Sequence, residues 1–441
     1  MSAHAPTDRY HALDSLRGFA MFLGVLLHVA ISFMVTPPAF WPVRDGNPTP
    51  LADLFLIAVH DFRMQLFFLL AGFFGCLLYK RYGLAGLTKH RLKRVAMPFA
   101  LALLFVVPTV QAVGMYAEVE NIRAGSVRGE PSPQRAHAAG LVAANPEAST
   151  ARLTADYVLS GASFARFPLL HLWFLYYLLL FVVTVAVLAP LLGRLTGTRL
   201  LAHCDAAFRR VVEGRGRVLV PALLTFPLML PMRWIVDTPS TWNPQWHIVG
   251  YYFAFFAFGW MLFRHRDLVP TFGRGWKLNL ALATLVVLPV LVGLIVTGAA
   301  KQREGTEVFA WQLGGFAASV LYTWLMICGL WGAFLRLFAR EYAWVRYMAD
   351  SAYWCYLASL TPIVAFQFAV KDWPLPALVK GALVTGATMA VLLASYECLV
   401  RYTFIGAILN GRKYRKRGPL AASRVAREAA SGEPVETGHS K

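Results

Sequence analysis

Long apolar runs along the chain alternate with short polar connections. A helix crosses a bilayer with about 17–25 apolar residues. Ten such runs are marked, roughly 12–35, 54–79, 95–115, 168–192, 218–236, 247–263, 278–298, 309–338, 349–370 and 375–404. The pattern predicts an all-α, polytopic integral membrane protein of about ten transmembrane helices. It reads as one domain over 1–415, with 116–167 as an outer loop and 416–441 as a disordered basic tail. The middle of that loop, "RGEPSPQRAHAAGLVAANPEAST", is poor in large apolar residues and reads as flexible; "RLTADYVLSGASF" after it reads as a short interfacial helix. The first run is long and lacks a small-residue cleavage site, so it is expected to stay as a span.

Composition agrees with this pattern. Of the 441 residues, 58% are hydrophobic and 15% charged, against about 25% charged in soluble domains. The net charge of +19 taken alone would admit nucleic acid as a partner. Its placement argues otherwise. With the N-terminus inside, the inner segments hold 28 of the 42 Lys and Arg residues, and the positive-inside rule then predicts N-in and C-in. The tail "NGRKYRKRG" becomes an anchor for anionic membrane lipids. The five cysteines (Cys76, Cys204, Cys328, Cys355, Cys398) form no C-x-x-C pair and read as small hydrophobes, not as disulfides or metal ligands. No metal is expected. Trp41, Trp242 and Trp246 at span ends fit an aromatic belt.

Candidate chemistry comes from charges inside the spans. The stretch "LDSLRGFAMFLGVLLHVAISF" carries Asp14, Arg17 and His28, and each ionisable group costs about 2.5–3.5 kcal/mol at mid-span. At about 100° per residue, Asp14, Arg17, Met21, Gly24 and His28 share one stripe, with Arg17 and His28 about 16.5 Å apart. Gly24 leaves room beside the helix. In "VHDFRMQLFFLLAGFFGCLLY", His60, Asp61 and Arg63 fall at or just above the depth of His28, and His171, Arg233 and His247 enter from the same side. Arg91 and Arg94, in the short basic loop "KHRLKRVAMP", join Asp14 and Arg17 at the opposite mouth, with Asp350 and Arg401 near them.

Arginine forks suit phosphates. A histidine suits proton abstraction near neutral pH. The two layers therefore fit a phosphorylated donor inside and a hydroxyl acceptor outside. Plainer readings stand beside this one. Asp14 and Arg17 would form an ion pair with His28 as a core histidine, Arg91 and Arg94 would be topology anchors, and Glu397–Arg401 would be a structural i,i+4 pair. A transporter of a glycan or small anion, using the same charges as a proton relay, is the open alternative. No Ser-His-Asp or Cys-His set stands out by spacing.

These motifs resemble the acyltransferase-3 family of membrane acyltransferases. "LDSLRGFAMFLGVLLH" resembles its first helix, an Arg and a His separated by ten residues; "FRMQLFFLLAGFFG" its second-helix signature; "RLKRVAMP" its Arg-x-x-Arg motif; "HLWFLYYLLL" a further one. The FRM motif and the ending "YECLVRYTFIGAILNGRK" are most similar to the periplasmic-glucan succinyltransferase branch. The resemblance runs from about residue 10 to 415. It departs at Ala71, where Ser is common, and at Ser359, where many relatives carry His, which puts the acceptor or acyl group in question.

The resemblance implies transfer of an acyl group, acetyl or succinyl, from cytosolic acyl-CoA as donor substrate to a glycan or other hydroxyl acceptor. The acceptor would lie on the outer side of the bacterial inner membrane. It implies His28 as the key catalytic residue with Arg17 as its companion, and Arg91 and Arg94 as contacts for the CoA phosphates; the stripe itself suggests His28 as general base and puts Asp14 on the donor side. Arg63, His171 and His60 are the candidates for holding the acceptor or the oxyanion.

Overall fold

The computed structural model describes residues 10–126, 132–164, 169–194, 197–239, 241–340 and 342–411. The tail expected over 416–441 lies outside the described residues. Within them the chain forms helices and no strand. Seven helical stretches are long and apolar enough to cross a membrane, or eight when Ala343–Ala358 and Leu360–Val370, bent by 69° between them, make one span. One of the seven, Pro50–Arg123, has 74 residues and would be about 110 Å long if straight, several times the hydrocarbon thickness. It is interrupted at Gly83, whose φ of 68° and ψ of −174° only a glycine adopts easily. That break separates the runs read as 54–79 and 95–115.

The run 218–236 does not form a full span. It folds as a short helix, Leu219–Thr225, a 3₁₀ turn, Phe226–Leu228, and irregular chain. Pro221 is tolerated in the first turn of that helix, whereas Pro227 and Pro231 remove donors and keep it from continuing. A second departure lies in 116–167. Ser132 caps a helix over Pro133–Ala144. Its Ala138 packs with Met115, Val119, Leu153 and Tyr157, and its Arg135 Nε pairs with Glu118 at 3.0 Å. The expected interfacial helix is present as Thr150–Leu159.

A bilayer is needed to cover the outside. The span Trp276–Arg303 has only 11% of its apolar window buried, and Leu278, Leu285, Val290 and Val296 are 53–75% exposed. A contiguous apolar surface of this kind belongs in lipid. Inside, Pro50–Arg91 and Trp246–Arg264 pack most closely. A Cβ on Gly72 would strike the carbonyl of Phe256, and one on Gly259 that of Leu69. Glycine on both helices permits this approach. Phe68 fills the core beside them, its ring 4.8–5.1 Å from those of Phe174, Phe181 and Tyr252.

Candidate functional site

A cavity of about 480 Å³ opens beside the N-terminal half of the first helix, His11–Ile31. Asp14, Arg17, Arg91, Arg94, Arg340, Arg346 and Asp350 line its polar part; Met21, Phe67, Leu70, Phe174 and Leu178 line its apolar part. The structure thus brings Asp14, Arg17, Arg91 and Arg94 together as expected. Arg17 Nη2 pairs with Asp14 at 3.3 Å and lies 5.9 Å from the Phe74 ring. Arg91 Nη2 donates to the Ala71 carbonyl at 3.4 Å, and the Arg94 carbonyl accepts from Tyr353 at 2.9 Å. The segment read as a short basic loop is helical. Arg91 ends one helix and Arg94 sits in a π-helical turn, Leu92–Ala96. Such a turn inserts a residue into the ladder and re-aims the side chains that follow. Arg401 does not line the cavity; it pairs with Glu397 at 2.8 Å and faces Tyr347 at 5.1 Å.

Further along the first helix is the histidine layer. The His28 and His171 rings lie 6.4 Å apart at 76°, and Arg63 and His60 are within electrostatic reach of His28. His171 is buried, whereas His28, His60 and Arg63 keep part of their surface accessible. His171 Nε2 meets the Leu357 carbonyl at 3.1 Å. A carbonyl only accepts, so Nε2 carries the proton and Nδ1 is the free nitrogen of the neutral ring. The Tyr356 hydroxyl donates to the His171 carbonyl at 2.7 Å. The preceding residue, Leu170, has φ of 46°, a left-handed conformation uncommon outside glycine. His60 Nε2 contacts Thr238 Oγ1 at 2.9 Å. In the adjoining loop, burial raises the Asp237 carboxyl above its usual range, opposed by Arg233 and His247.

The two layers are not joined by an open passage. Gly24 and His28 are absent from the cavity lining, and the space beside Gly24 holds the Arg63 guanidinium, which a Cβ there would strike. The glycine expected to admit a ligand arm admits Arg63. Its Nε has no hydrogen-bond partner among the described residues, and its Nη2 reaches only the Met64 sulfur at 3.4 Å. Ser359 is buried at the bend between Ala343–Ala358 and Leu360–Val370.

Three neighbours of this layer were not foreseen. Trp41, expected in an interfacial belt, is buried and stacked on His28, with centroids 6.0 Å apart and planes 9° apart. Gln367 bonds Trp41 and the end of the first helix, and Tyr356 holds His171. Their partners lie up to 339 residues away in sequence, so no local pattern marks them. Among the described residues no group of three or more His, Cys, Asp or Glu could hold a metal.

No solved structure matches the chain. Glucans biosynthesis protein C of Escherichia coli (strain SMS-3-5 / SECEC) is 36% identical over 98 residues, 22% of this chain and 25% of the relative. The protein of the same name from Escherichia coli O1:K1 / APEC is 35% identical over the same length and shares. The chain therefore matches about a quarter of the length of these relatives. A family model described as an acyltransferase domain matches residues 10–397, so nearly the whole chain is covered and the protein belongs to the acyltransferase-3 family.

Proposed function

We propose that this chain is a membrane O-acyltransferase of the inner membrane. It takes an acyl group from acyl-CoA on the cytosolic side and passes it to a hydroxyl of a glycan on the outer side. The observation that carries the reading is the succession of two layers along one helix. An arginine-lined cavity lies beside Asp14 and Arg17, and His28 lies beyond it with His171, His60 and Arg63 around it. The direction rests on the inner bias of Lys and Arg. The glycan rests on the relatives' name, which assigns them to glucan biosynthesis.

Each group has a place in a balanced step. Arg17, Arg91 and Arg94 hold the donor phosphates by charge-assisted hydrogen bonds. The unpaired Nδ1 of His28 takes the acceptor's hydroxyl proton as its oxygen attacks the thioester carbonyl. Arg63, with donors to spare, stabilises the oxyanion. The carbon–sulfur bond then breaks, the thiolate leaves, and the imidazolium returns the proton to sulfur. The donor arm has to pass Gly24, so Arg63 swings from its notch toward the carbonyl as the arm arrives.

The test is incubation of the purified protein with labelled acyl-CoAs and candidate glycans. Label appearing on the glycan, with free CoA released in equal amount, is expected. Glycan transport in vesicles without acyl-CoA consumption would overturn the reading in favour of a transporter.

A further inference from the structure

The acyl-transfer step needs His28 in one orientation, with Nδ1, which has no partner among the described residues, left for the acceptor. Packing against the ring sets that orientation. One face lies against Trp41, 6.0 Å away and 9° from parallel. The indole is fixed in turn: its Nε1 donates to Gln367 Oε1 at 3.0 Å. The Nε2 of Gln367 donates to the carbonyls of both His28 and Val29, each at 3.0 Å. Those carbonyls belong to the last turn of the first helix, where intrahelical partners run out. One buried amide, 1% exposed, therefore holds the helix end that bears His28 and the indole that lies on it.

The connection carrying Trp41 is itself pinned. Lys380 Nζ pairs with Asp45 at 2.6 Å and donates to the carbonyls of Lys371 and Trp373 at 3.3 and 3.2 Å. The Asp45 amide donates to the Ser32 carbonyl at 3.0 Å, and the Thr49 amide to that of Phe33 at 2.8 Å. Trp41 is thus presented from a strapped connection, not a loose tip.

We propose that Trp41 and Gln367 are positioning residues for acyl transfer: Trp41 sets the plane of the His28 imidazole, and Gln367 locks Trp41 to the helix end that carries it. The proposal rests on His28 being the base. Its chemistry is specific. Residue 367 must donate twice and accept once, which an amide does and neither a carboxylate nor a hydrocarbon does. Residue 41 must offer both a flat face and an N–H, so phenylalanine keeps one function and leucine keeps neither.

The experiment compares wild type, His28→Ala, Trp41→Phe, Trp41→Leu and Gln367→Leu, reading kcat, donor KM and melting temperature. A misplaced reacting group costs up to about 10²-fold. Trp41→Leu and Gln367→Leu are expected to lose kcat on that scale with donor KM unchanged, and Trp41→Phe to lose less. In a His28→Ala background, Trp41→Leu should bring no further loss, because the ring it positions is gone. Wild-type kcat in Trp41→Leu and Gln367→Leu, beside an inactive His28→Ala, overturns the positioning role while leaving the base in place. Equal losses with and without His28 overturn it too, by exposing a purely structural effect. An active His28→Ala removes the base itself. If Gln367→Leu does not fold, the Trp41→Phe and Trp41→Leu pair decides.

Discussion

Arg63 lies so close to Gly24 that no β-carbon fits between the guanidinium and the helix backbone. A glycine of the first helix thus faces a large cation from the second. Arg63 fills the space beside the first helix between the arginine cavity and His28.

Gly24→Ala is expected to push Arg63 out of its notch. Overpacking of this kind costs about 1–3 kcal/mol, spread over stability and the placement of the cation. The expected result is reduced transfer in a protein that still purifies. Wild-type rate and melting temperature together would show that the notch is slack.

His28→Ala is expected to remove the base and lower transfer by about 10²–10⁴-fold. The side chain is only half-buried, so the melting temperature should change little. Steady-state rates and a thermal melt on the same preparation check both halves.

Arg91→Ala and Arg94→Ala are each expected to weaken donor binding. A hydrogen bond to a charged group contributes about 1.5–3 kcal/mol, which is roughly ten-fold or more in affinity. Donor titrations read the effect directly, and KM should move more than kcat. Unchanged affinity in both variants would return the pair to anchoring the topology.

Lys380→Met tests the strap. Lys380 and Asp45 are almost wholly buried, 0% and 1% exposed at their side chains. Removing one partner leaves the other charge unpaired, at about 3–5 kcal/mol. A clear fall in melting temperature is expected, and Lys380→Met combined with Asp45→Leu should recover part of it. If the single and double variants melt alike, the pair does not hold the connection.

Much of this arrangement was legible along the chain. Of the stripe read from helical spacing, Asp14, Arg17 and Met21 line the cavity whereas Gly24 and His28 do not, and Arg91 and Arg94 join its charged end as their position at the end of the second run implies. The depth count that put Arg63 and His171 beside His28 also holds. Three things were not legible. Hydropathy marked 218–236 as a span, but Pro227 and Pro231 keep the helix from continuing past Thr225. Helix Pro133–Ala144 draws its stability from a small core and an ion pair with Glu118, neither visible in its own composition. Trp41 and Gln367 are ordinary residues locally and gain their roles only when distant helices meet.

The apolar floor of the cavity, with Arg63 behind it, also bears on energy conservation. A water-filled route running unbroken from Arg17 past His28 to the far face would leak protons and dissipate the membrane potential. Met21, Phe67 and Leu70 make that floor apolar, and the Arg63 charge beside Gly24 would repel hydronium and metal cations alike. On this arrangement the resting protein would be an electrical insulator, and a ligand arm long enough to move Arg63 would also fill the space that it vacates.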